Sequence, residues 1–568
     1  MALGCFRGEA VNEESARALK KGTQNYRMQK SRFFPRKPKM EAGHRVNLYQ
    51  VLSACSCKLL GISVLMFSAF FYSTISYASV NIPLDSPFYA DIQTLIAYGV
   101  IKSDLSSTRP FTRSEAGRLL AEAIDNAEAE GISPFASEIV DRMVKIYKED
   151  IGEATRPGSA PHTYLKPLDE FSITCNRLDG PFSIFNNEGI EYFDGNNAVI
   201  EFQSSARLWR VFSLFIQPMV IYNQNYGGIE GNNETEFRFH KAYLKLSLGN
   251  FEIQVGKDSL WWGPGYHGAL LMSNNARPFE MIKISNPRAT LLPWVFRYLG
   301  PFRYNAFFSV LDSNEAASEH PPNSEIFGLR FDFKPHPLLE LGTSYLVHFD
   351  GDRPGIDSPN FSDYFYILFS EVSRGGDKRD SNKEIALDIT LTIPNISETV
   401  PVADSIELYA EWGGEDSDYP PDRRAYLLGM VFNDTFMARG LRLRTEYARL
   451  SPKSVPGAWY KHGIWSMKYY GRVFGHHAGT DSDDLFVEFL HQINPQFFYS
   501  LAFDKERSGL SKKHIQEKQQ FFLEARYEFK GWSNFTVRYA YEEIDNVANV
   551  KDSSQENHFI GVELSFRF

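Results

Sequence analysis

A chain of 568 residues with 15% aromatic side chains and a mean hydropathy of -0.32 is long for one soluble domain and too polar for a helical membrane protein. Residues 79–568 carry 48 basic and 66 acidic side chains, a net of -18, which argues against a nucleic-acid partner. Three of the four cysteines, Cys5, Cys55 and Cys57, precede residue 79, so an exported chain keeps only Cys175 and forms no internal disulfide.

The first element in the chain is an apolar run, Leu59–Ser73, behind Lys58 and a long basic stretch. It leads to Ser76 and Ala78, which occupy the small-residue positions of a signal-peptidase site, so residues 1–78 are expected to be a leader cleaved after Ala78. An uncleaved anchor is the competing reading, and Met40 is an alternative start. Residues 79–155 then read as a small helical bundle. Ser86 and Pro87 open the first helix, Phe88, Ile92, Leu95 and Ile96 share its face, and Gly99 ends it. Thr112 and Glu115 form a capping box for a second helix, and Ser133 and Pro134 open a third that carries Ile139, Met143 and Ile146.

The stretch Glu153–Pro167 has the Pro, Gly and Ser content of a linker, and beyond it the hydrophobic period changes from 3.6 to 2. In one run Leu441, Leu443 and Tyr447 alternate with Arg442, Arg444 and Glu446; in another Phe521, Leu523, Ala525, Tyr527 and Phe529 alternate with Phe522, Glu524, Arg526 and Glu528. Alternation suits either a half-solvated soluble sheet or a barrel with lipid outside and water inside. Aromatic residues at strand ends, the export signal and the last strand, which places Ile560, Val562, Leu564, Phe566 and Phe568 on one face, favour the barrel. At about 22 to 25 residues per strand with its turn, residues 156–568 hold roughly 16 to 18 strands.

Catalytic signals are scarce. The region after the leader has no G-x-S-x-G, H-E-x-x-H or C-x-x-C pattern. The stretch Asp350–Gly355 resembles the opening of a calcium loop but has Pro354 at the third acidic position, and Phe361 stands where the closing glutamate belongs. His476 and His477 with Asp481, Asp483 and Asp484 read as a polar loop in preference to a cation site. The expectation is a protein without enzyme activity, cofactor or metal.

The stretch "LWWGPGYHGALLMSNNARP", Leu260–Pro278, follows the strand pattern that begins at Phe251. Gly263, Pro264 and Gly265 force a reversal, Trp261, Trp262 and Tyr266 offer flat apolar faces, and His267, Asn274, Asn275 and Arg277 offer hydrogen bonds. Such a loop serves either as a polysaccharide-binding site or as a plug locked against the inner wall of the lumen. Its W-W-G-P-G and S-N-N-A-R-P patterns, together with "VIKSDLSSTRPFTRSEAGRLLAEAI", resemble the Wzi family of capsule-assembly outer-membrane proteins. The helical stretch also resembles the surface-layer-homology fold, which makes a porin tethered to the cell wall the alternative. The Wzi resemblance implies a monomeric outer-membrane barrel of about eighteen strands with a periplasmic helical bundle, binding or organising surface polysaccharide in the manner of a lectin. Its partners would be that polysaccharide, outer-membrane lipid and the insertion machinery that receives the strand ending at Phe568.

Overall fold

The computed structural model describes residues 77–130, 132–159, 161–311, 320–369, 377–398, 401–415, 423–452, 455–529 and 532–568. The apolar run Leu59–Ser73 and Met40 lie outside the described residues. Tyr77 and Ala78, on the leader side of the expected cleavage point, are described and buried: the Tyr77 hydroxyl donates to Asp150 at 2.8 Å, and Ala78 accepts from Arg207 Nε at 2.8 Å.

Eighteen antiparallel strands form a closed barrel. The first, Tyr164–Asp179, pairs with both the second, Gly195–Leu208, and the last, Ser554–Arg567, and Phe171 lies opposite Phe566 across the seam. The outside of the wall is apolar. On the strand Ser381–Ile393, Ile385, Leu387 and Ile389 are 38%, 48% and 44% exposed, whereas Glu384, Ala386, Asp388 and Thr390 are buried. That arrangement inverts the soluble pattern and suits a wall with lipid outside and polar groups within. Leu441–Arg449 and Gln516–Phe529 follow the same rule, with Arg442, Arg444 and Glu446 pointing inward and Phe521, Leu523, Tyr527 and Phe529 outward.

Among the described residues four helices precede the barrel: α1 (Phe88–Ala97), α2 (Arg113–Glu130), α3 (Pro134–Ile146) and α4 (Lys148–Thr155). Phe88, Ile92, Leu95, Leu119, Leu120, Phe135, Ile139 and Met143 form their shared core. The start of α3 matches expectation, with Ser133 accepting from the Ala136 N–H and Pro134 in the first turn. In α1 the cap position falls on Pro87, one residue later than the sequence suggests. The capping box of α2 is half made: Thr112 accepts from the Glu115 N–H at 3.0 Å, but the Glu115 carboxylate pairs with Arg118 at 2.7 Å. The fourth helix is an addition to the three expected; only Tyr147 separates it from α3, so neither proline nor glycine announces it.

The bundle sits across the barrel end that carries residues 164 and 567, called here the near end. Arg142 on α3 pairs with Glu528 at 2.9 Å, Arg442 donates to Thr94 at 2.9 Å, the Tyr98 hydroxyl donates to Asp434 at 2.8 Å, and Lys334 pairs with Asp104 at 2.6 Å. Deeper inside, Asn81 Nδ2 donates to Asp258 at 2.7 Å, and Thr108 donates to Asp332. Arg330, fully buried on the inner wall, pairs with Asp332 at 2.7 Å and Asp388 at 2.8 Å. Breaking a buried ion pair by removing one partner typically costs about 3–5 kcal/mol, because the remaining charge is stranded. Arg330→Met is therefore expected to lower the temperature of the barrel's heat-dependent gel shift clearly, and adding Asp388→Asn to recover part of the loss; an Arg330→Met barrel as heat-stable as the parent would contradict this.

Candidate functional site

The strands flanking the tryptophan-rich loop are short, Phe251–Asp258 and Phe279–Ser285, so the chain leaves the wall at mid-height and turns into the lumen. Two anchors hold it there. Trp261 and Trp262 form a two-residue antiparallel ladder with Arg109 and Thr108 from the loop between α1 and α2, and the Gly263 N–H donates to Ser107 at 2.8 Å. Across the lumen, Glu446 on Leu441–Arg449 accepts from the N–H groups of Tyr266, His267 and Gly268 at 2.8, 3.1 and 3.1 Å. Glu411 on Ser405–Glu415 accepts from Leu270 at 3.0 Å. Gly263 has φ +134°, and a Cβ there would lie 2.8 Å from Glu411 Oε2, so the first glycine of the W-W-G-P-G pattern allows the crossing.

The residues singled out in the sequence thus fall into three settings. Trp261 and Trp262 are 5% and 0% exposed; Trp262 packs on Phe307 of the wall with ring centroids 5.4 Å apart, and neither indole N–H meets a protein acceptor among the described residues. Gly263, Pro264 and Gly265 are buried with them, while Tyr266 keeps an open face and lies under the Arg444 guanidinium at 3.4 Å. Towards the far mouth, Asn274 O accepts from the Glu188 N–H at 2.7 Å, Asn275 Nδ2 donates to Val473 O at 3.1 Å, and Arg277 stacks over Tyr470 at 4.4 Å. His267 takes a third setting, stacked on Phe486 with ring centroids 3.9 Å apart and close to His476 and His477.

A second inward loop, described at residues 450–452 and 455–481, adds to the filling. Trp459, Tyr460 and Trp465 are fully buried, and the Tyr460 hydroxyl donates to Leu270 O at 2.5 Å. Ser273 donates to Gly475 O at 2.6 Å. His476 and His477, expected to belong to a polar loop, lie in this inward loop with enclosed side chains, and burial lowers the His476 imidazole to about 3 and that of His477 well below its usual range. Of the acids grouped with them, only Asp484 stays close. Asp481 accepts from Ser451 and Ser511, and Asp483 pairs with Arg507 at 2.6 Å.

The far mouth of this assembly holds an open cleft. Phe182, Ile184, Ile190, Glu191, Tyr192, Phe193 and Arg472 line a cleft of about 240 Å³ at the far mouth, between the first loop on that side, residues 180–194, and the second inward loop. Arg472 holds the cleft's shape by donating to Ile184 O and Asn187 Oδ1, each at 3.0 Å. Burial lifts the Tyr192 phenol to about 12, so it remains a neutral donor. Sequence reasoning missed this cleft; its residues carry no motif, and only the aromatic and acidic run Glu191–Phe193 could have signalled it.

Comparison with known proteins gives three consistent findings. The family model described as "Capsule assembly protein Wzi" matches residues 179–559. A protein of Klebsiella pneumoniae described as an "Uncharacterized 55.8 kDa protein in cps region" is 28% identical over 212 residues, 36% of this chain; the match spans 39% of that relative's length. The Escherichia coli Wzi structure superposes with a TM-score of 0.64 at 18% identity, over 86% of this chain and 100% of the other, which supports the fold. The apolar outer wall and the family match together make the chain an outer-membrane protein. With its matched region covering most of the barrel, the chain belongs to the Wzi family of capsule assembly proteins.

Proposed function

We propose that this chain binds or organises surface polysaccharide at the outer face of the membrane, for capsule or exopolysaccharide attachment, without catalysing a reaction. The carrying observation is the contrast between the filled lumen and the open far-mouth cleft. A channel requires a water path along the axis, whereas here two inward loops pack on each other inside the barrel and the first pairs with the segment between α1 and α2. The cleft instead combines aromatic faces with charged and hydrogen-bonding groups, the mixture that orients a sugar. The Escherichia coli relative is described as an outer-membrane protein involved in group 1 capsule assembly and a carbohydrate-binding β-barrel. In this reading the near end and its bundle, residues 79–155, face the periplasm, and the barrel of 156–568 works as a monomer inserted through its C-terminal strand. Trp261, Trp262, Gly263, Pro264 and Gly265 act as the plug, and the sugar meets Glu191, Tyr192 and the outward side of Arg472.

Two measurements test this reading. Purified barrel is expected to bind polysaccharide extracted from its own cell surface, and Tyr192→Ala or Glu191→Gln to weaken binding about tenfold, the equivalent of roughly 1.4 kcal/mol. Cells lacking the protein should shed polymer into the medium with synthesis unchanged; unchanged retention with altered uptake of small solutes would favour a porin. Trp262→Ala separates the roles. Truncating a packed tryptophan costs about 3–5 kcal/mol, so thermal stability is expected to fall while affinity for the polysaccharide changes little. Loss of glycan binding at unchanged stability would move the binding site to the tryptophans.

A further inference from the structure

A group of buried polar atoms lies where the two inward loops meet the wall. His267 Nε2, both ring nitrogens of His477, Asp484 Oδ1 and both carboxylate oxygens of Asp504 make no well-formed hydrogen bond, and the histidines and carboxylates approach one another at 3.4–3.5 Å. Their side chains are between 0% and 4% exposed. Buried polar atoms are nearly always satisfied, so a cluster of this size calls for something that the protein groups themselves do not supply. Lys518, on the strand beyond, is paired with Glu506 at 2.7 Å.

The positions follow from the fold. Asp484 and Asp504 stand on neighbouring strands, where Phe486 faces Asp504 and Asp484 faces Glu506, so the two carboxylates lie diagonally on the same inner face. His267 is delivered by the backbone that Glu446 fixes, and its ring is stacked on Phe486. His477 comes from the second loop with its ring stacked on Phe185 at 3.9 Å. Gly268 makes room for the approach of that loop, since a Cβ there would lie 2.2 Å from His476 Cδ2.

Three of the donor–donor distances are those of ligands around one ion. Asp484 Oδ2 lies 3.5 Å from His267 Nε2 and 3.4 Å from His477 Nε2, and Asp504 Oδ2 lies 3.5 Å from His267 Nε2. Zinc bonds of 2.0–2.1 Å to nitrogen and oxygen in a tetrahedron put neighbouring donors about 3.4 Å apart. One donor atom from each of His267, His477 and Asp504 lies within 4.8 Å of the others, and the same holds for His476, His477 and Asp484. Two imidazoles and two carboxylates balance a divalent charge, and this donor set suits zinc, cobalt or nickel. Calcium wants six to eight oxygens.

We propose that His267, His477, Asp484 and Asp504 form a tetrahedral site for a divalent transition ion of the zinc type, which staples both inward loops to the barrel wall. His476, with Nε2 3.6 Å from Asp484 Oδ2, flanks the site. The residues come from two loops and two strands, so the ion adds to the hydrogen bonds that already join the loops to each other and to the wall. The inference is independent of what the far-mouth cleft binds.

The test uses the full-length protein in detergent, stripped with dipicolinate and titrated with Co2+. The expected result is one equivalent bound with the strong visible d–d bands of tetrahedral cobalt, displaced by Zn2+. His477→Gln and Asp504→Asn should each weaken binding about 100-fold or more, and Zn2+ should raise the melting temperature of the wild type but of neither variant. Binding well below one equivalent, weak octahedral bands, or equal affinity in wild type and variants would mean an adventitious ion only and would overturn the proposal. Should a variant fail to fold, the wild-type stoichiometry and spectrum decide by themselves.

Discussion

Two wall carboxylates, Glu446 and Glu411, receive four backbone N–H groups of one loop, and the closed interior depends on that exchange. A barrel of eighteen strands is wide enough to hold water. Its inner face is charged because every second residue must turn away from lipid, and buried charge is costly unless paired. Folding a loop inward answers both needs: the wall gains donors for its carboxylates, and residues 266–270 of the loop, which carry no sheet partner, gain acceptors for their backbone. The Tyr409 hydroxyl adds to this by donating to Glu446 at 2.7 Å, so the anchor is itself held in place.

The same loop couples the two ends of the molecule. Its tryptophans pair with Thr108 and Arg109, whose chain neighbours lead into α2, while its asparagines meet residues 188 and 473 near the far mouth. The helical bundle is consequently more than an appendage beneath the barrel.

Much of this was legible in the sequence. Alternation in Leu441–Arg449 and in the C-terminal strand set the face that meets lipid, and the Ser133–Pro134 cap set the start of α3. The Gly-Pro-Gly turn after two tryptophans marked where the chain leaves the wall. What stayed hidden depends on register. Glu411 and Glu446 look like any other inward carboxylate until the loop is seen crossing to them. His267 and Asp504 lie far apart in sequence, and nothing local to either announces the other. His476 and His477 were visible as a pair, yet in a segment rich in glycine and charge they read as a polar loop; only the inward fold of the second loop encloses them. The fourth helix escaped because it follows the third without a break.

The central claim is that the inward loops close the lumen and that Glu411 and Glu446 hold them there. Single-molecule conductance in a planar bilayer tests it most directly, comparing the wild-type barrel with a Glu411→Gln, Glu446→Gln variant. A closed wild type and a variant that flickers open to conductances typical of wide barrels would bear the account out. A wild type that conducts steadily at the level of an open porin would contradict it.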